Sequence, residues 1–194
     1  MKNLFLLLLL LNFSAHAQWV ELFNGRDLTG WKASENPSSF QVKDGELHIE
    51  GPRGHLFYDG PVGDHSFKNF EVKALIKTYP GANSGLYVCT AFQPSDWPSQ
   101  GHEIQVNNSH TDWRRTGSLY GIIDTAEKLV HDEEWFELYI KVEGKHITTK
   151  INGRAVVEYD EPADKKRIQP GTIAIQAHDP KSKIAYKSIQ VRLN

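Results

Sequence analysis

The stretch of residues 101–120, GHEIQVNNSHTDWRRTGSLY, concentrates side chains that can do chemistry. Glu103, Gln105 and Asn107 occupy every second position, and aliphatic residues stand between them. Side chains two apart on a strand share a face, so the pattern predicts a strand with one face in the core and one polar face. A carboxylate and two amides in a row can hydrogen-bond a polar ligand, although a plain solvated face is the alternative.

Other candidate ligand contacts lie close to this strand in the sequence. Arg115 and Tyr120 follow it and add a cation and a hydroxyl. Trp97 belongs to the proline-framed loop from Phe92 to Gln100, and loops on a rigid scaffold commonly carry function. Its indole could stack on a sugar face or could pack the loop against the sheet.

A second candidate for acid–base chemistry lies near the C-terminus. Gln176 and His178 share a face of a predicted strand, with Ile173 and Ile175 on the other face. If this strand lies in the same sheet as Glu103, the imidazole and the carboxylate can form an acid–base pair. The alternative is a surface histidine at a strand end.

The elements that must position these groups are short strands. Asp44-Gly45, Glu143-Gly144 and Asn152-Gly153 are hairpin signals between alternating segments, and no convincing amphipathic helix of ten residues is present. The pattern predicts an all-β, two-sheet antiparallel β-sandwich with two longer loops, Pro52 to Phe67 and Phe92 to Gln100. The residues expected in its core are Leu86, Ile104, Val106, Phe136, Leu138, Ile140, Ile173 and Ile175.

The 194 residues suit one domain with a sizeable core. Lys2, the apolar run from Leu4 to Leu11 and Ala15-His16-Ala17 are typical of a cleavable signal peptide. We therefore expect residues 1–17 to be a signal peptide and residues 18–194 to be a single β-sandwich domain. No cysteine near the junction can accept a lipid, so a periplasmic or secreted location is expected. Neither nucleic acid, given a net charge of −2, nor a membrane is an expected partner.

Metal and cysteine chemistry have little support in the sequence. The nine histidines are dispersed and no H-E-x-x-H, P-loop or G-x-S-x-G motif occurs, so no metal ligand and no cofactor is assigned. A divalent metal, such as Ca²⁺ held by loop oxygens, stays open because such sites need no fixed spacing. Cys89, the single cysteine, is expected to be an unpaired, buried, small apolar residue.

An ordinary glycosidase needs two carboxyl groups across the scissile bond, roughly 5 to 10 Å apart. The Glu103 strand offers one carboxylate beside two amides. Asp112 and Asp179 are the candidates for a second acid, from elsewhere in the chain. The residue types on the strand therefore count against a two-acid glycosidase.

Five pieces of the chain together resemble the 3-keto-disaccharide hydrolase domain family. They are LFNGRDLTGW (Leu22 to Trp31), Asn83-Ser84-Gly85, Gly101 to Val106, Thr116 to Tyr120, and Ile173 to His178. The resemblance implies a concanavalin-like jelly roll that acts on glycosides or oligosaccharides whose C3 hydroxyl is oxidised to a ketone. It also implies that Asn83, Gln105, Glu103, Tyr120 and His178 line the site.

Two positions depart from the family pattern. Cys89 stands where many relatives have arginine or histidine, and Asn107 stands where many have aspartate. Both changes predict a less polar cleft.

A C3 ketone acidifies the C2 proton, so one base, one acid and one oxyanion donor suffice for elimination at C1. Glu103 and His178 are the catalytic candidates, and either can be the base; Arg115, Tyr120, Gln105 or a metal ion can serve the oxyanion. The leading hypothesis is a secreted hydrolase or lyase of 3-keto glycosides, and the alternatives are a non-catalytic carbohydrate-binding module and a two-acid glycosidase. The substrate-binding candidates are Asn83, Trp97, Gln105, Asn107, Arg115, Tyr120 and Gln176.

Overall fold

The computed structural model describes residues 18–194, and the predicted signal peptide lies outside the described residues and stays a prediction. The described chain forms thirteen strands and two short 3-10 turns, Pro37–Ser39 and Val62–His65. The strands are β1 (Val20–Glu21), β2 (Trp31–Ala33), β3 (Phe40–Lys43), β4 (Glu46–Glu50), β5 (Gly54–Tyr58), β6 (Phe70–Thr78), β7 (Ser84–Thr90), β8 (His102–Val106), β9 (Phe136–Glu143), β10 (His146–Ile151), β11 (Arg154–Asp160), β12 (Thr172–Ala177) and β13 (Lys183–Leu193). Within residues 18–194, no helix is long and apolar enough to cross a bilayer.

The strands form two antiparallel sheets. Sheet A has eight strands in the order β11-β10-β9-β6-β13-β4-β3, with β1 pairing β13 at the side. Sheet B has five strands in the order β2-β5-β12-β7-β8. The predicted two-sheet antiparallel β-sandwich is confirmed, and β7, β8 and β12 are neighbours in the same sheet.

The core lies between the sheets, where the period-two pattern places it. All eight predicted core residues are at most 1% exposed. Burying a side chain of this size contributes about 1.5–3 kcal/mol, so the alternation fixes which face of each strand points inward. A one-residue slip would expose the whole apolar set.

The hairpin signals are confirmed as well. Asp44-Gly45 joins β3 to β4, and Asn152-Gly153 joins β10 to β11. Both residues of each pair have positive φ, between 47° and 80°. Two-residue loops of this kind need that conformation, which Asn, Asp and Gly adopt most readily.

The predicted loop from Pro52 to Phe67 is wrong in part, because it contains β5. Every residue of Gly54–Tyr58 is buried. One face of this strand packs in the core, and the other face lies under the long loop that follows β7. Since both faces are covered, the sequence shows no alternation of apolar and polar residues, and the strand could not be recognised by period.

The stretch from Leu22 to Trp31 is a compact connection between β1 and β2. The Asn24 side-chain oxygen accepts hydrogen bonds from the backbone N–H groups of Arg26 and Asp27. The Trp31 indole N–H donates to the Leu22 carbonyl at 3.0 Å. These residue types therefore close a tight, partly buried turn on the scaffold and do not belong to a ligand site.

Candidate functional site

A cavity of about 240 Å³ lies on the outer face of sheet B. Pockets for drug-sized ligands hold roughly 300–1,000 Å³, so this volume suits a smaller ligand, about one sugar ring. Its lining residues come from β7, β8, β12 and four adjoining loops: Asn83, Tyr87, Trp97, Glu103, Gln105, Tyr120, Gln176 and His178.

Strand pairing sets the floor of the cavity. In the β7–β8 pair, Tyr87 lies opposite Glu103 and Gly85 lies opposite Gln105. Directly opposed side chains on one face are close enough to interact. Because Ile104 and Val106 point into the core, the alternating residues of β8 must present their polar groups to the outer face.

Two neutral donors hold the Glu103 carboxylate. The Tyr87 hydroxyl donates to Oε2 at 2.8 Å, and Gln176 Nε2 donates to Oε1 at 3.0 Å. Burial raises the pKa of Glu103 to about 7, against the lowering effect of these two hydrogen bonds. A carboxylate with a pKa near neutrality is suited to accept and release a proton in catalysis.

Gly85 leaves room for that carboxylate on the neighbouring strand. A Cβ at this position would lie 2.4 Å from Glu103 Oε1 and 2.6 Å from its Cγ. The backbone of Gly85 is not in the left-handed region, so an alanine meets a clash with one flexible side chain and no backbone strain.

Gly85→Ala should therefore displace the carboxylate and leave the sandwich folded. We expect at least a tenfold loss of whatever activity depends on Glu103, with a circular dichroism spectrum like that of the wild type. The control is Ala82→Gly, which tests whether backbone freedom near β7 matters. Gly81→Ala would not serve, because Gly81 has a φ of 76° and an alanine there would strain the backbone.

Full activity in Gly85→Ala would show that Glu103 can move without consequence.

His178 forms a dyad with the next residue. Its Nδ1 lies 2.8 Å from Asp179 Oδ2, and the Ser182 hydroxyl donates to the same oxygen at 2.7 Å. Burial would raise the pKa of Asp179, but the hydrogen bonds from His178, Ser182 and the Lys181 backbone N–H outweigh it and lower the pKa to about 2. The carboxylate is thus ionised, orients the imidazole, and leaves Nε2 as the unused ring nitrogen.

Two amides form the end of the cavity. Gln105 Nε2 donates to Asn83 Oδ1 at 2.9 Å. Among the described residues, Asn83 Nδ2 has no hydrogen-bond acceptor, and Asn83 lines the cavity. This NH₂ group is therefore a donor available to a ligand oxygen.

Trp97 forms a wall of the cavity. Its ring centroid lies 5.4 Å from that of His178 and 5.6 Å from that of His55. Arg53 bonds Glu35 at 2.7 Å and Asp96 at 3.0 Å, which fixes the loop next to the indole. The ring lines the cavity and also packs the loop onto the sheet, and its stacking on a sugar stays a prediction.

The comparison with known proteins agrees with this geometry. Residues 18–192 match the model of the 3-keto-alpha-glucoside-1,2-lyase-like domain. The chain belongs to this family. The family resemblance read from the five sequence pieces is confirmed.

This chain is similar to three known proteins, one by sequence and two by structure. A 3-keto-disaccharide hydrolase of Bacteroides thetaiotaomicron is 25% identical over 168 residues, which are 73% of this chain and 58% of that protein. A Parabacteroides distasonis protein provisionally named a glycosyl hydrolase has a TM-score of 0.76 at 22% identity, over 91% of this chain and 94% of its own. A carbohydrate-binding module of Bacillus subtilis has a TM-score of 0.63 at 9% identity, over 84% and 95%. The structural likeness confirms the jelly-roll fold.

Of the predicted site residues, Asn107 and Arg115 do not line the cavity. Asn107 Nδ2 donates to the carbonyls of Asp112 and Arg114, at 3.0 and 2.8 Å. Arg115 Nη1 donates to Asn107 Oδ1 at 3.2 Å and to backbone carbonyls of the same loop. The two side chains hold the loop that carries Tyr120. Since β8 ends at Val106, its alternation does not extend to Asn107.

Sequence reasoning missed one residue that lines the cavity, Tyr87, and one buried beneath it, His55. Tyr87 alternates with the core residues Leu86 and Val88, and this signal could have placed it on the face of Glu103 once the β7–β8 pairing was known. His55 lies on the unrecognised strand β5, is 0% exposed and meets Tyr87 edge-on at 5.4 Å. Burial lowers the pKa of His55 to about 4, so its ring is neutral.

Cys89 lies outside the cavity. It is unpaired and packs in the core, as the sequence predicted, and burial raises the pKa of its thiol to about 12. The β7–β12 pairing shifts register between Thr172 and Ala174, and Cys89 has a φ of 57°. This bulge turns the side chain inward. Neither departure from the family pattern, Cys89 or Asn107, removes a group from the cavity.

Within residues 18–194, no group of three or more His, Cys, Asp or Glu side chains is arranged to hold a metal ion.

Proposed function

We propose that this chain is a carbohydrate-active enzyme that cleaves 3-keto glycosides by removing the C2 proton and eliminating the substituent at C1. One observation carries the proposal. Among the described residues that line the cavity, Glu103 is the single carboxylate, and burial raises its pKa to about 7. The remaining lining groups are amides, hydroxyls, an imidazole and an indole, which can bind and polarise a sugar but include no second acid.

The proposed elimination requires one carboxylate base together with polar groups of this kind. A ketone at C3 makes the C2 proton acidic, and a carboxylate takes it. The electron pair then forms the C1–C2 double bond as the C1–O bond breaks, and the leaving oxygen takes a proton from an acid. Water adding across the double bond, with OH to C1 and H to C2, completes a net hydrolysis.

In this proposal the residues have the following roles, which the geometry supports. Glu103 is the base. His178 is the acid, because the contact of Nδ1 with Asp179 orients the ring and leaves Nε2 to give a proton to the leaving oxygen. Asn83 Nδ2 is the donor for the developing enolate oxygen at C3. Trp97 and Tyr120 are the ring contacts.

A two-acid glycosidase is not favoured by the same geometry. Two carboxyl groups roughly 5 to 10 Å apart would have to face one bond. Asp112 is not part of the cavity lining, and the Asp179 carboxylate is engaged by His178, Ser182 and the Lys181 N–H. Neither candidate therefore presents a free carboxylate to the cavity.

The pKa of Glu103 predicts how activity depends on pH. Only the deprotonated carboxylate can act as a base, so kcat/KM should show an ascending limb with its midpoint near pH 7. The Glu103→Asp enzyme should keep such a limb, displaced in pH, and the residual activity of Glu103→Gln should lack it. A flat wild-type profile between pH 5 and 8 would contradict the assignment.

The contribution of Glu103 to the stability of the fold should decrease as pH rises, because its pKa in the folded protein lies above the usual 4.5. The protonated form is favoured in the fold, so this contribution is fully present below about 4.5 and is lost as pH rises through about 7. Melting temperatures of wild type and Glu103→Gln should therefore diverge over this window, with the wild type losing more stability as pH rises.

The proposal is tested by incubating residues 18–194 with a 3-keto glycoside and with its unoxidised parent. Release of the C1 substituent from the keto form alone supports it. Binding without release would make the chain a carbohydrate-binding module. Cleavage of the parent would make it a glycosidase of the two-acid kind, in spite of the single carboxylate.

A further inference from the structure

Exposed hydrophobic side chains are concentrated on the loop that carries Tyr120. Within residues 18–194, eight large hydrophobic side chains are exposed, and four of them lie on this loop: Trp113, Tyr120, Ile122 and Ile123, each between 37% and 52% exposed. Tyr120 also lines the cavity. Hydrophobic residues scattered singly over a surface are normal, whereas a group of them beside a binding cavity indicates a contact site.

The Arg114 guanidinium joins two of these side chains. Its Cζ lies 5.1 Å from the centroid of the Trp113 ring and 4.7 Å from that of the Tyr120 ring. Because a guanidinium stacks on aromatic faces, the three side chains form one continuous surface. It begins at the cavity with Tyr120 and extends to Trp113, which does not line the cavity. We call Trp113, Arg114 and Tyr120 the rim platform.

Two carboxylates hold Arg114 in place and balance its charge. Arg114 Nε donates to Asp124 Oδ2 at 3.0 Å, and Arg114 Nη1 lies 3.4 Å from Asp112 Oδ1. All three side chains are at most 27% exposed. The charged groups are therefore engaged with one another, and the platform presents aromatic rings rather than an unpaired charge.

Backbone hydrogen bonds fix the platform relative to Glu103. β8 is the edge strand of sheet B, and the Tyr120 loop lies along its open edge. The Tyr120 N–H donates to the Glu103 carbonyl at 3.0 Å, and the Gly117 N–H donates to the Gln105 carbonyl at 2.9 Å. The fold therefore sets the position of the platform next to the proposed base, and little ordering is left for a ligand to impose.

The same loop borders the proposed acid. The His110 ring lies 5.8 Å from the His178 ring, and the Asp112 backbone N–H donates to His110 Nδ1 at 3.0 Å. In the proposed reaction His178 gives a proton to the leaving oxygen, so the group on that oxygen lies next to this loop. Since the cavity volume suits about one sugar ring, the leaving group must extend beyond the cavity.

We infer that the rim platform binds the leaving group and selects an aromatic aglycone over a second sugar. The inference rests on the proposed function. An aromatic ring can stack against Trp113 and Tyr120. The hydroxyls of a sugar would lose contacts with water against these rings and against Ile122 and Ile123, and would gain few hydrogen bonds in return, which costs free energy.

The test compares three substrates that share the 3-keto glucose ring: the 2-phenylethyl glycoside, the methyl glycoside and a disaccharide. 2-Phenylethanol and methanol leave as alkoxides of similar basicity, so a difference between their glycosides reports contact with the phenyl ring and not the ease of breaking the C1–O bond. In the wild type, kcat/KM should be about tenfold larger for the phenylethyl glycoside than for the methyl glycoside, because the phenyl ring is removed from water. It should also exceed kcat/KM for the disaccharide.

Trp113→Ala should remove this preference. We expect kcat/KM for the phenylethyl glycoside to fall about tenfold through lost packing against the ring, and kcat/KM for the methyl glycoside to change much less. Trp113→Phe keeps an aromatic ring and should retain most of the preference. Because Trp113 is more than half exposed, both variants should fold, which circular dichroism checks.

Phe92→Ala is the matched control. Phe92 is an exposed ring on the connection between β7 and β8, where it meets Phe57 at 5.3 Å, and it does not line the cavity. It should not change the preference for the phenylethyl glycoside. No preference in the wild type, a preference that survives Trp113→Ala, or one that Phe92→Ala removes would overturn the platform. A larger kcat/KM for the disaccharide than for the phenylethyl glycoside would overturn the assignment to an aromatic aglycone.

Calorimetric binding of the unoxidised 2-phenylethyl and methyl glucosides separates this inference from the proposed function. If no 3-keto glycoside is turned over, but the phenylethyl glucoside binds more tightly than the methyl glucoside and Trp113→Ala removes the difference, the platform stands and the proposed reaction fails. If turnover occurs and neither turnover nor binding distinguishes the two aglycones, the reaction stands and the platform fails.

Discussion

Glu103→Gln should reduce kcat on a 3-keto glycoside by about 10²–10⁴-fold, the typical contribution of a positioned acid–base group. Glutamine keeps the shape of the side chain and can still hydrogen-bond to Tyr87 and Gln176, and it has no basicity. The dissociation constant for substrate, measured by calorimetry on the slow variant, should therefore change little. Initial-rate kinetics on the same preparation give kcat.

The control for this change is Glu50→Gln. Glu50 is an exposed carboxylate at the end of β4 in sheet A, where it pairs with Lys183. It should retain wild-type kinetics. If Glu103→Gln keeps full turnover and loses binding instead, Glu103 is a ligand contact and not the base.

His178→Asn should reduce kcat by about 10²-fold or more on substrates whose leaving group is a sugar. The asparagine can still hydrogen-bond to Asp179, but it cannot donate a proton to the departing oxygen. A nitrophenolate departs without that proton, so the loss on a nitrophenyl 3-keto glucoside should be small. The ratio of the two losses identifies an acid, because a structural defect would affect both substrates alike.

His110→Asn serves as the comparison for His178→Asn. Its ring lies 5.8 Å from that of His178, and it does not line the cavity. We expect no dependence of its effect on the leaving group. If His178→Asn lowers turnover of both substrates equally, and its pH profile loses the ascending limb, His178 is the base and the roles of the two residues are reversed.

The sequence predicted the face of β8 that carries Glu103 and Gln105 because the aliphatic residues between them must enter the core. The predicted alternation of side-chain directions holds only within β8, which ends at Val106. Asn107 lies one residue beyond β8, and there hydrogen bonds within the loop, not the period of a strand, decide where a side chain points.

What the sequence could not give was which strands lie side by side. Tyr87, Glu103 and Gln176 meet because β8, β7 and β12 are consecutive in sheet B, although 73 positions separate Glu103 from Gln176. Pairing between distant strands depends on the packing of the whole sandwich. The same limit concealed β5, whose two covered faces leave no alternation, and with it His55 and Phe57, the sheet rings beneath Trp97 and Phe92.

The bulge at Cys89 was equally inaccessible. A uniform strand would place Cys89 on the face of Tyr87, two residues away, and hence towards the ligand. The register shift and the positive φ reverse this direction. The replacement of a polar family residue by cysteine at this position therefore affects the core side of the sheet.

The central claim is that cleavage proceeds through loss of the C2 proton, and it is tested most directly by running the reaction in D₂O. The sugar product released from a 3-keto glycoside should carry deuterium at C2, introduced when water adds to the double bond, in excess of the exchange seen in enzyme-free incubations of the same product. Substrate deuterated at C2 should react more slowly in Glu103-dependent turnover. A product that keeps its original hydrogen at C2, with no isotope effect on kcat/KM, would contradict the account.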